Sequence, residues 1–181
     1  SEQIDEFMEQ DDRISCIRHK ENMGLPSVSS YEALKVARGE YIGFLFDDCV
    51  LYPTAYERSL KKMEEEEAQA SYGRVFLHSD KNDKSKGTMI YYEENLLDNL
   101  EITNYIGNIT IIFKKDILKT VGYIDPHVVL SRVSDWDFIT RIKRKFHLIE
   151  TGVLFASEYG ATQKTSLGNL MNLSVIDEYL R

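Results

Sequence analysis

Two periods of apolar residues run along this chain. Val28, Tyr31, Leu34 and Ala37 share one face at helical spacing, which predicts a helix over Ser27–Arg38 with Ser27 as N-cap and Gly39 as its stop. Tyr41 to Phe46 is instead an unbroken apolar and aromatic run. It predicts a strand buried on both faces at the centre of a sheet, and Ile109–Phe113 predicts a second. Arg13–Arg18 and Tyr72–His78 read as further strands, Thr88–Tyr92 as an edge strand, and His147–Ile149 and Val153–Ala156 as short closing strands. Pro53 opens a long helix to about Ala70, since proline suits a first helical turn. Shorter helices are predicted over Glu93–Leu100 and over Lys114–Val121, the latter stopped by Gly122. Another runs over Ser134–Phe146, with Trp136, Ile139 and Ile142 on its buried side. Strands interleaved with helices predict an α/β fold.

The 181 residues fit one domain, with a core over about 13–156 and a C-terminal loop and amphipathic helix over 157–181. A formal net charge of −8 argues against sequence-independent nucleic-acid binding, which needs a basic surface. No apolar run approaches the length of a membrane span, and the start does not read as a signal peptide. Ser1–Gln10, with Ile4, Phe7 and Met8 at helical spacing, reads as the middle of a domain. Cys16 and Cys49 have no metal-type spacing and fit a reducing compartment.

The candidate chemistry lies in three places. Asp47 and Asp48 follow the first buried run, where two adjacent carboxylates repel each other close to the interior. A cation, hydrogen bonds or open water would relieve them; capping a turn is the bland alternative. Ligands of open α/β sheets gather at such strand ends. Asn22 and Gly24 lie in a loop where backbone approaches a ligand or simply turns. Ser134-Asp135-Trp136-Asp137 opens a helix, where acidic residues suit the dipole, and Asp137 and Arg141 are spaced to pair. Trp136 is either core or an apolar platform for a sugar ring.

The order of these segments resembles the family-2 glycosyltransferases of the GT-A fold. Asn22-Met23-Gly24, Ala37-Arg38-Gly39-Glu40-Tyr41-Ile42, Phe44-Leu45 and Pro53 stand where that family has Asn-x-Gly, Ala-x-Gly-Glu-Tyr-Ile, a Phe-Leu strand and a Pro after its Asp-x-Asp motif. Ile109–Phe113, Val121-Gly122, Asp125 and Ser134–Asp137 with Arg141 follow the family's later pattern. The resemblance covers roughly Arg13–Ala156 and departs at several points. Phe46 replaces the first Asp of Asp-x-Asp, while Asp48 keeps the metal-holding position with Asp47 as a partial substitute. Ser134 replaces an acidic residue. The family's opening strand, helix and second strand, which bind nucleotide base and ribose, have no counterpart, so the fold reads as N-terminally incomplete.

The resemblance implies a GT-A-like, Rossmann-like mixed sheet flanked by helices. It implies inverting transfer from a nucleotide-diphosphate sugar to an acceptor hydroxyl of a carbohydrate or glycolipid, in surface polysaccharide or glycoconjugate synthesis. A divalent manganese or magnesium ion would sit on Asp48 and Asp47, and Asn22, Gly24 and Asp47 would bind the donor. Asp135 would be the general base, with Trp136, Asp137 and Arg141 on the acceptor. A cytoplasmic location, at the membrane face if the C-terminal helix docks there, goes with that pathway. The alternatives are a noncatalytic relative that binds a sugar or a protein, which Phe46 favours, and a plain α/β scaffold whose Asp residues are caps.

Overall fold

A computed structural model describes residues 2–78, 87–90, 97–102, 104, 106–127, 130 and 133–159. Residues 79–86, the first half of the helix predicted over Glu93–Leu100 and the C-terminal helix lie outside the described residues; 97–100 form turns.

Helix α1 spans Glu2–Gln10 and α2 spans Pro26–Val36. Strand β1 is Tyr41–Gly43 and β2 is Cys49–Leu51. They are followed by α3 (Ala55–Glu65), β3 (Ala70–His78), β4 (Gly87–Ile90) and β5 (Ile112–Lys114). Helices α4 (Leu118–Val121) and α5 (Ser134–Lys143) and strand β6 (Leu148–Tyr159) close the described chain. The strand order is β1-β5-β3-β6-β2, with β4 paired to the far end of β3. Only the β3–β6 pair is parallel, so this is the mixed sheet of an α/β fold.

The sheet separates two clusters of buried side chains. One joins Leu34 of α2, Ile42, Phe44 and Phe113 to Phe138, Ile139 and Ile142 of α5. The other joins Ala55 and Met63 of α3 to Val75, Ile112 and Phe155. Helix α3 buries Ala55, Ser59 and Met63, four residues apart on one stripe, which is the pattern an amphipathic helix needs against a sheet. At the centre, β3 and β6 approach so closely that a Cβ on Gly73 would meet the Val153 carbonyl at 2.7 Å. The register shifts on either side of Arg74.

Several local expectations change. Arg13–Arg18 forms no strand: no neighbour pairs with it among the described residues, and Ile14 and Ile17 are exposed. An extended segment needs a ladder to become a strand. The Tyr41–Phe46 run yields only three strand residues, at one end of the strand order, with Leu45 59% exposed. Ile42 and Phe44 are buried in one cluster and Tyr41 is half-buried against the other, while Gly43 and Leu45 are exposed, so the run is not buried on both faces. Helix α3 stops at Glu65 because Glu67 takes a positive φ of 51° and Ala70 already belongs to β3. Leu25, not Ser27, occupies the N-cap position of α2, and Val133 occupies that of α5. The two predicted closing strands are one, β6, turned at Gly152 and extending past Ala156.

Candidate active site

Asp47 and Asp48 occupy the turn between β1 and β2, both exposed, well before α3 begins. They are neither buried, as their place after an apolar run suggested, nor caps of that helix. The turn is fixed from the far end of the sheet. Cys49, Val50 and Leu51 pair with Glu158, Ser157 and Ala156, and the Tyr159 N–H donates to the Asp48 carbonyl at 2.8 Å. The Cys49 thiol donates to Asp48 Oδ1 at 3.3 Å. Burial raises the pKa of Cys49, and the bond to Asp48 and the charges of Asp48, Glu158 and Asp47 raise it further. The thiol therefore stays protonated and is a donor, not a nucleophile. Burial also pushes Glu158 above the usual glutamate range, with the Asp48 charge adding to it.

Asp135 sits in the first turn of α5. Its Oδ1 accepts the Trp136 N–H at 2.9 Å. Burial raises its pKa, against the lowering effect of backbone N–H bonds from Trp136 and from Asp135 itself. A carboxylate raised in this way is a stronger base at neutral pH than an ordinary aspartate.

These carboxylates meet in one cleft of about 520 Å³, walled by Ser27 and Ser30 of α2, by Phe46–Cys49, by Gly107–Ile109, and by Ser134, Asp135 and Glu158. A neighbouring hollow of about 800 Å³ includes Asn22, Gly24 and Ser29 and shares Pro26 and Asp47 with the cleft. There the Gly24 N–H donates to Asn22 Oδ1 at 2.8 Å, closing the loop. A larger hollow of about 890 Å³ lies between α1, the 13–19 segment and the end of α2. It is lined by none of the predicted site residues, so size does not mark the chemistry here.

Trp136, Asp137 and Arg141 line a separate hollow of about 220 Å³. The Trp136 indole N–H donates to the Leu100 carbonyl, and its ring packs against the core. Arg141 bonds the carbonyls of Val121 and Tyr123 and the Asp137 carboxylate. The structure thus does not bring these three to the cleft; they fasten α5 to the 121–123 segment and to the core. Phe46 packs against both apolar clusters and stacks on Phe44 with ring centroids 6.5 Å apart. Sequence reasoning passed over Glu158, Asn108 and the wall role of Ser27. Glu158 ends an apolar strand much as Asp47 and Asp48 end theirs, which was the available signal.

A family described as Glycosyl transferase family 2 matches residues 1–137. No curated protein matches the chain. Among solved structures, S. aureus TarS 1-349 in complex with UDP-GlcNAc superposes with a TM-score of 0.66 at 15% identity, over 87% of this chain and 45% of that one. The same protein in complex with UDP gives a TM-score of 0.63 at 14% identity, over 88% and 47%. S. aureus TarS itself gives 0.64 at 14% identity, over 99% and 34%. The chain therefore spans less than half the length of these structures, and the likeness extends to the fold, a GT-A-like mixed sheet with flanking helices. With the family's pattern covering residues 1–137, this chain belongs to glycosyl transferase family 2.

Proposed function

We propose that this chain transfers a sugar from a nucleoside-diphosphate sugar to an acceptor hydroxyl, with inversion, and that the cleft between α2, the Asp47–Asp48 turn and α5 is where it does so. The observation that carries this reading is that Asp48 and Asp135, nearly ninety positions apart, line one cleft. Asp135, its basicity raised by burial, takes the proton of the acceptor hydroxyl as the acceptor oxygen bonds to the anomeric carbon. The bond from that carbon to the diphosphate breaks, and the diphosphate leaves with the electron pair.

Among the described residues no three His, Cys, Asp or Glu side chains converge as an all-protein metal cage. One or two carboxylates completed by phosphate oxygens and water suit magnesium or manganese, and the exposed Asp48 beside Asp47 fits that donor set. Such an ion supplies charge neutralisation for the leaving diphosphate. Asn22, Gly24 and Asp47 line the adjoining hollow, and in this reading they hold the nucleotide side of the donor. Because S. aureus TarS 1-349 forms complexes with UDP and with UDP-GlcNAc, uridine diphosphate donors are the first to test. Surface polysaccharide or glycoconjugate synthesis on the cytoplasmic side is the setting that suits such a reaction. Among the described residues no helix is long and apolar enough to cross a membrane.

The second reading, a binding domain without catalysis, is favoured by Phe46, whose half-buried ring packs against both apolar clusters at the place where the family carries a carboxylate. Titration of UDP and UDP-GlcNAc with and without manganese separates the two. Manganese-dependent binding that is lost in Asp48→Ala, with transfer lost but binding kept in Asp135→Asn, supports catalysis. Binding without transfer under every donor and acceptor tried supports the second reading. No binding of any nucleotide by the wild-type chain overturns the donor-site reading and leaves only a domain that binds a protein partner or a free sugar.

A further inference from the structure

Among the described residues, five buried side-chain polar atoms have no hydrogen-bond partner. Two of them, Ser27 Oγ and Asn108 Oδ1, belong to residues that wall the same cleft as Asp48 and Asp135. They come from different elements: Ser27 from the first turn of α2, Asn108 from the 3-10 turn that leads into β5. Ser27 is 4% exposed. A buried polar atom left unpaired is uncommon in native proteins and points to a partner supplied from outside the chain. The cleft's other polar groups say what that partner is. No Lys, Arg or His lines it, whereas Asp47, Asp48, Asp135 and Glu158 do. A bare anion is poorly matched to such walls. A group rich in hydroxyls is well matched, because each hydroxyl donates to a carboxylate or amide oxygen and accepts from a serine hydroxyl.

We propose that Ser27 and Asn108 recognise hydroxyl groups of the transferred sugar, Ser27 donating and Asn108 accepting, and so help to determine which sugar this chain takes. This rests on the reading of the cleft as the donor site. The glycosyl group lies there between the base and the diphosphate, and a sugar that presents a hydroxyl to each atom relieves both orphaned groups at once. A sugar with one of those hydroxyls inverted leaves one of them buried and unpaired, which is the arrangement by which polar sites reject close analogues.

The test is titration of a panel of UDP- and GDP-sugars, and of UDP and GDP alone, into the wild-type chain, Ser27→Ala and Asn108→Ala, all with manganese, with unfolding temperatures in parallel. The expected result is that each variant binds the preferred sugar nucleotide about tenfold more weakly, a lost hydrogen bond's worth. Affinity for the free nucleotide stays within about twofold, and the unfolding temperature does not fall. A wild type that binds sugar nucleotides no more tightly than the free nucleotide overturns the proposal. So do variants that bind the sugar nucleotide like wild type, or that lose free nucleotide equally. A wild type that binds no nucleotide of either kind overturns the donor-site reading itself, and this inference with it.

Discussion

Cys49 and Glu158 are direct partners across the antiparallel β2–β6 pair, and that register holds Glu158 beside the carboxylate of Asp48. The pairing places negative charge against negative charge in a half-buried setting. Glu158 is therefore easier to protonate in the folded chain than in the unfolded one. Its folded pKa is raised, so the native state holds the extra proton in the window from the ordinary glutamate value up to the raised one. Stability is fully present below that window and falls as pH rises through it. Glu158→Gln is expected to raise the unfolding midpoint at pH 7, leave it nearly unchanged at pH 3, and flatten the slope between. Thermal unfolding across pH checks this; a lower midpoint at pH 7 contradicts it.

Asp135 is raised in the same direction, burial being the larger cause, so the same sign applies. Asp135→Asn is expected to make the fold slightly more stable at neutral pH while transfer falls by about 10²–10⁴, the usual contribution of a general base. Unfolding curves and a transfer assay on the same preparation read both. Loss of stability together with activity would make Asp135 a structural residue.

Phe46 touches both apolar clusters while remaining half-buried. Phe46→Ala is expected to cost about 2 kcal/mol, below the usual figure for a fully buried phenylalanine. Phe46→Asp, which restores the family's motif, is expected to cost at least as much, because a carboxylate there has an apolar wall on either side. Urea unfolding measures both.

Arg141 is the clamp between α5 and the 121–123 segment, with the Tyr123 carbonyl at 2.9 Å and Asp137 Oδ2 at 2.8 Å. Arg141→Ala is expected to cost about 1–3 kcal/mol in urea unfolding. Arg141→Lys should recover little, since one ammonium cannot reach three oxygens in the planar fork that guanidinium provides. At the same corner Gly122 has φ 74°, and a Cβ there would meet only Arg141 Nη1, at an ordinary contact distance of 3.6 Å. The cost of Gly122→Ala, about 1 kcal/mol, is then backbone strain alone. A much larger loss would mean that the clamp had moved.

The outline of the fold was legible where one element carries its own signal. Met63 falls four residues after Ser59 and eight after Ala55, and that stripe buries itself as a helix must. Gly122 ends α4 as expected. Arg13–Arg18 misled because its composition is that of a strand, but a strand exists only when another backbone satisfies its N–H and C=O groups. Asp48 stood out by its position after an apolar run and Asp135 by its helix start; that both line one cleft came from the tertiary structure. The separation of Trp136, Asp137 and Arg141 from the cleft was not, because adjacent helix residues point about 100° apart and only packing decides which direction faces the site.

The sequence by itself determined the α/β class, most of its helices, its longer strands and the family, because periodicity, turn residues and motif spacing are local and cumulative. Only the tertiary structure decided that β2 pairs with the end of β6, that Glu158 joins Asp48, and that Ser27 and Asn108 share a cleft with Asp135. Those residues are tens to more than a hundred positions apart. Strand pairing and helix packing, which bury the two apolar clusters as a whole, fix such distances, and no stretch of sequence encodes them alone.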